Sequence, residues 1–217
     1  MSARQSIKVA FAVMGFTLAF IATSDARIRP RTVPPARSFD SEEGVSLYFG
    51  LGSQDYEIMD ADYDGLNQLD DAGAILVGGS AGVAPGASLF IEIAASEHPT
   101  TLGDHIYGTA MAGGKFAPNS RNGNAWQPYG KLSVGAMFLE ESDSRRQCDC
   151  DVSYVGPAIG LAFGLDKFVS PSVALFGEVG FTAGLLNTQF VEYDEYELAD
   201  DIDVTSGRVQ FGLRFRL

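Results

Sequence analysis

Three sets of residues in this chain have the types and spacing to do chemistry. The first is a run of aspartates. Asp60, Asp62 and Asp64 alternate ahead of Gly65, and the twelve-residue window that they open closes at Asp71. Carboxylates are hard oxygen ligands, and these are positions one, three, five and twelve of an EF-hand-type calcium loop, with Gly at six for the turn. Three features depart from that loop. Position twelve is Asp rather than Glu, position eight is Asn67, and the flanks read as strands. The two readings are a Ca²⁺ site at Asp60, Asp62, Asp64 and Asp71 and a solvated acidic tip that turns at Asp64-Gly65. The second set is Cys148-Asp149-Cys150. In an oxidising compartment a local disulfide is expected, although two cysteines this close make a strained ring. Capture of a metal by the two thiolates is the alternative. The third set is five charges on strand faces: Glu92, Lys131, Glu178, Arg208 and Arg214. Buried ions are costly unless paired, so a closed network of these five is expected. Glu178 is expected to pair with Arg208 or Arg214.

Catalysis has little support. The two histidines, His98 and His105, flank one loop, and neither has a Ser two residues on. They read as surface residues near a membrane interface. There is no nucleophile motif and no phosphate loop. Net charge is −13, with 28 acidic and 15 basic residues, which disfavours nucleic acid as a partner.

The elements that position these groups are strands. The last ten residues, Arg208 to Leu217, alternate without a fault. Val209, Phe211, Leu213, Phe215 and Leu217 face one way, and Arg208, Gln210, Gly212, Arg214 and Arg216 face the other. Seven earlier runs alternate likewise. Their apolar stripes are Val45 to Leu51, Ile75 to Val83, Leu89 to Ala95, a Gly/Ala-rich run from about His105 to Phe116, Leu132 to Phe138, Val155 to Leu165, and Val173 to Leu185. Asp166 to Ser172 reads as a turn. Connections after strands two, four and six are short. The others, 53–72, 97–104, 140–152 and 187–203, are longer, and 53–72, 140–152 and 187–203 together hold nineteen of the 28 acidic residues. Long loops at one end and short turns at the other is the arrangement of an outer-membrane barrel. Tyr48, Tyr107, Trp126, Tyr129, Tyr154 and Phe168 read as strand-end aromatics of its interface girdles.

The chain before the strands has two parts. Arg4 and Lys8 precede an apolar run from Val9 to Ala22, and Ser24-Asp25-Ala26 offers small residues for cleavage. This fits a signal peptide over 1–26, since the run is shorter than the roughly 20 residues of a membrane span. Residues 27–42 hold four Arg and three Pro and read as an extended periplasmic linker. Residues 43–217 form the barrel.

With its leader, eight alternating strands, loop pattern and final hairpin (LFGEVGFTAG, then GRVQFGLRFRL), the chain resembles the small eight-stranded outer-membrane barrels of the OmpA transmembrane-domain and OmpX/Ail kind. The resemblance implies an all-β, eight-stranded antiparallel transmembrane up-and-down β-barrel in a Gram-negative outer membrane. It implies outer-membrane lipid and lipopolysaccharide as surroundings, assembly machinery reading the C-terminal strand, and a monomer. It also implies a structural, envelope-integrity and surface-interaction role without catalysis, with divalent cations on the acidic loops. Eight strands leave an interior about wide enough for side chains to fill, so a plugged lumen is expected. Two other classes remain open. A soluble lipocalin-like barrel would turn the apolar stripes inward onto a ligand, and a lipid-A-modifying barrel enzyme is the weaker option.

Overall fold

The computed structural model describes residues 44–58, 72–99, 103–118, 126–143, 152–191 and 194–217. The aspartate series at 60–71, Cys148 and Cys150, and the leader and linker lie outside them.

The strands are β1 (Val45–Gln54), β2 (Glu57–Ile58), β3 (Ala72–Ala84), β4 (Ala87–Pro99), β5 (Gly103–Phe116), β6 (Trp126–Asp143), β7 (Val152–Ser170), β8 (Val173–Val191) and β9 (Asp194–Arg216). Each pairs antiparallel with its neighbour in sequence, and β1 closes on β9. β2 holds the same register against β9 as β1 does, since Gln54 meets Arg208 and Glu57 meets Thr205. β1 and β2 are thus one interrupted strand, and the ring has eight members. Closure leaves no edge, so the backbone groups of the wall are satisfied within it.

Alternation sets the faces. Phe49, Leu51, Ile75, Leu89, Leu132, Val134, Ile159, Phe163, Val179 and Phe211 all point outward and stand exposed. Tyr48, Leu76, Phe90, Glu92, Lys131 and Gln210 point inward and are buried. An apolar belt around a polar interior is stable only when something apolar surrounds it. The inward-facing stripes of a soluble ligand-binding barrel are not the arrangement found. Among the described residues no helix is long and apolar enough to cross a membrane.

The β3–β4 turn places Gly86 at φ 75° after Pro85. Pro presets the first central angle and Gly accepts the positive second one. The β7–β8 turn is Pro171-Ser172 alone. Asp166 therefore lies within β7, not in a turn as the sequence suggested. Its side chain points into the lumen, because it shares parity with Ala158 and Ala162.

The connections at the opposite end are shorter than expected. β4 and β5 run on through 97–99 and 103–104, leaving 100–102 between them, and β8 and β9 leave 192–193. The link between β5 and β6, expected to be short, spans 117–125. The acidic stretches near these connections are strand rather than loop. Above the belt they occupy the outward positions of strands. Asp201 and Asp203 are exposed while Ile202 and Val204 between them are buried.

Candidate functional site: the barrel lumen

The lumen has three tiers. The middle tier is a quartet of ions. Glu92 comes from β4 and Glu178 from β8, which stand opposite each other in the ring. Lys131 of β6 places Nζ 2.7 Å from Glu92 Oε2 and 2.7 Å from Glu178 Oε2. Arg208 of β9 donates from Nη2 to Glu92 Oε1 and reaches Glu178 Oε1 at 3.3 Å. Two cations thus tie together carboxylates from facing walls. Neutral donors complete the set. Tyr48 donates to Glu92 at 3.0 Å, Tyr129 to Glu178 at 3.0 Å, and Gln210 Nε2 to Glu178 at 2.7 Å. Charges of both signs are matched two against two, which is the condition under which buried ions are tolerated.

The second tier lies toward the end of the barrel where the chain terminates. Lys115 Nζ stands 2.9 Å from Asp166 Oδ2, and Arg214 Nη1 stands 3.3 Å from the same oxygen. Arg214 also lies over Tyr48 and Tyr129, with ring centroids 5.1 and 5.3 Å from Cζ. Of the five expected lumen charges the structure joins four in the quartet and places Arg214 one tier below, with Asp166 as its partner. Sequence reading missed Lys115 and Asp166. Lys115 alternates in phase with Tyr107, Thr109 and Met111, all buried, but Gly113 and Gly114 interrupt that phase in the sequence.

The third tier, toward the loop end, is apolar. Tyr56, Met111, Met137, Leu139, Leu186, Ile202 and Val204 belong to one buried cluster. His98 and His105 lie within this tier, 1% and 5% exposed, and face each other across β4 and β5. They are lumen residues, not the interface residues expected. Tyr56 and His105 Nδ1 are hydrogen-bonded at 2.9 Å, and Ser96 Oγ and His98 Nε2 at 2.9 Å. The Tyr56 ring meets His98 edge-on at 4.8 Å and stacks on Tyr107 at 5.0 Å. A serine hydroxyl beside an imidazole is one part of a nucleophile. Here both belong to β4 and are buried, and the Ser96 hydroxyl also donates to the Tyr107 carbonyl of β5 at 3.5 Å. Tyr48, Tyr107, Tyr129 and Tyr154 are also buried in the lumen and are not girdle residues. Of the aromatics expected in the girdles, Trp126 faces outward, with Lys167 Nζ 4.8 Å from its ring.

Glycines shape the interior by facing rings. Tyr48 lies opposite Gly78, and its ring occupies the space that a Cβ there would need. Tyr129 lies over Gly164 in the same way. Each ring then reaches one carboxylate of the quartet. The two glycines are the reason these hydroxyls arrive at Glu92 and Glu178.

Comparison with known proteins agrees with this architecture. No family model and no curated protein sequence matches the chain. Among solved structures, Neisserial surface protein A is similar with a TM-score of 0.59 at 11% identity, over 82% of this chain and 99% of that one. A major outer membrane protein from Thermus thermophilus gives 0.51 at 10% identity, over 80% and 99%. Ail, the attachment invasion locus protein of Yersinia pestis, gives 0.49 at 17%, over 80% and 99%. The fold is that of the small outer-membrane β-barrels. The chain is an all-β protein whose antiparallel sheet closes into a ring of eight strands, an outer-membrane-type barrel.

Proposed function

We propose that this chain is a structural barrel of the bacterial outer membrane, with a closed lumen and an acidic end turned to the cell exterior. One observation carries the reading: an exposed apolar belt encircles an interior tied across its width by the Glu92, Lys131, Glu178 and Arg208 quartet. The belt meets lipid, and the quartet with the apolar tier above it fills the space through which solute would pass. The role is envelope integrity and contact at the surface, without catalysis. Above the belt Asp55, Glu57, Glu97, Asp201 and Asp203 all point outward and are exposed. Lipopolysaccharide and divalent cations are the surroundings that suit such a rim, and the Asp60 to Asp71 series is the place for Ca²⁺. Residues 1–26 deliver the chain to the periplasm, 27–42 link, and the aromatic stripe of β9 presents the barrel to the assembly machinery. Cys148 and Cys150 are proposed to form a local disulfide.

The test is solute flux through lipid vesicles that contain the purified barrel. Vesicles that hold small ions as tightly as protein-free vesicles support a closed structural barrel. Flux that rises with the amount of protein makes it a pore and rejects the reading.

A further inference from the structure

The outer surface of the barrel wall is not even. A depression of about 380 Å³ crosses it over β7, β8, β9 and β1. Small-molecule sites run from about 300 to 1,000 Å³, so the depression can seat part of a ligand. Two cross-strand rows line it. The lower row is Phe163, Val179, Val209 and Ser53. The upper row is Leu161, Phe181, Gly207 and Asp55. Gly207 puts no side chain between Phe181 and Asp55. Its N–H donates to Asp55 Oδ1 at 2.7 Å, which holds the exposed carboxylate over the glycine and leaves Oδ2 outside that bond. The upper row lies where the outward residues of the wall change character. Val209 and Phe211 stand below it, Glu57 and Asp203 above it. At or above that row no Lys or Arg faces outward among the described residues of β1, β2, β7, β8 and β9. The connections of this end keep the balance acidic by composition. Residues 59–71 add five Asp and no base, and in 144–151 Arg145 and Arg146 are matched by Asp149 and Asp151.

We infer that this depression holds one lipid of the outer leaflet whose head carries a primary ammonium, with an acyl chain on Phe163, Val179, Phe181 and Val209 and the ammonium on the Asp55 carboxylate. A hollow in a wall bathed by hydrocarbon is filled by hydrocarbon, because an empty one forfeits the contacts of its lining. The acidic end then selects the head, since it attracts an ammonium and repels an anionic group. The inference rests on the reading that the belt meets lipid. The competing occupant is an anionic lipid whose phosphate is bridged to Asp55 by a divalent ion.

The test is native mass spectrometry of the full chain, folded into vesicles of equal phosphatidylethanolamine and phosphatidylglycerol with a chelator and released in a mild neutral detergent. Retention of one phosphatidylethanolamine is expected, favoured about threefold or more over phosphatidylglycerol, which is the scale of an exposed ion pair. Asp55→Asn keeps an oxygen for the Gly207 N–H and should remove the preference, whereas Asp55→Glu should keep it. Val209→Trp fills the depression and should remove the retained lipid. Equal retention of the two lipids by the parent, or the parent's preference in Asp55→Asn, overturns the inference. Phosphatidylglycerol retained only when Mg²⁺ replaces the chelator means a metal bridge and overturns it as well. A chain that does not enter the vesicles at all overturns the belt reading itself, which separates that failure from failure of the site.

Discussion

Ile202 and Val209 lie on one strand and turn their apolar side chains to opposite sides of the wall: Ile202 is 4% exposed and Val209 45%. The apolar residues of β9 change parity between them. Below this point the strand is apolar outward and polar inward, as in lipid. Above it Asp201 and Asp203 face out while Ile202 and Val204 face in, as in a protein in water. β1 and β2 change at the same height, from outward Leu51 to inward Tyr56 and Ile58. The barrel wall therefore continues beyond the belt as a water-exposed tube with an apolar core, and the parity change marks the outer edge of the hydrocarbon.

A charge is costly inside that edge, and its removal outside the edge costs little. Phe211→Arg, in the belt, is expected to destabilise the folded barrel by about 2–4 kcal/mol. Asp203→Asn, above it, should change stability by no more than about 0.5 kcal/mol. Urea unfolding from lipid vesicles measures both. Equal costs would mean that the edge is misplaced.

The quartet predicts a second difference. Glu178 receives Lys131, Arg208, Tyr129 and Gln210. Glu178→Ala takes their acceptor from Tyr129 and Gln210 and leaves Lys131 and Arg208 with Glu92 as the one carboxylate of the quartet, and breaking one member of a buried ion set costs about 3–5 kcal/mol. The variant should unfold at lower denaturant and lose its compact electrophoretic form at a lower temperature. A melting temperature no lower than that of the parent would make the quartet dispensable.

The glycine and tyrosine pairs give a third. Gly78→Ala and Gly164→Ala insert a methyl where the rings of Tyr48 and Tyr129 lie. Each ring must move away from its carboxylate, and overpacking of this kind costs about 1–3 kcal/mol. Gly73→Ala, where a Cβ meets nothing within 4 Å, is the control and should be neutral. If all three variants have the same unfolding midpoint, the rings do not need the glycines.

The aspartate series gives the fourth. Calcium should raise the thermal midpoint of the parent protein. An Asp62→Asn/Asp64→Asn pair should remove that rise, because it removes two of the proposed ligands. Identical calcium titrations for parent and variant would leave the series as a solvated tip.

The part of the fold that faces lipid was legible because hydrocarbon imposes one rule on every strand it touches. Val209 to Leu217, Leu89 to Ala95 and Leu132 to Phe138 follow that rule, and their faces are as expected. The part above the lipid was not legible by the same rule. There the solvent is water, the alternation inverts, and an outward Asp203 beside an inward Ile202 looks like a loop to a reader who expects outward apolar residues. His98 and His105 fall in this zone, on stretches of β4 and β5 that run past the edge of the belt, and so face the lumen. Glu92, Lys131, Glu178 and Arg208 were legible because a charge among small residues on an inward face has to be paired. Lys115 and Asp166 were hidden by neighbours that blur parity: Gly113 and Gly114 before one, the turn-like Pro171 after the other.

Lipid contact of the apolar belt is measured by electrophoretic heat-modifiability of the protein in purified outer membranes, boiled against unboiled. A lipid-embedded barrel is found in the membrane fraction, runs compact when unboiled and shifts on boiling. Recovery in the soluble periplasmic fraction with no shift would contradict it.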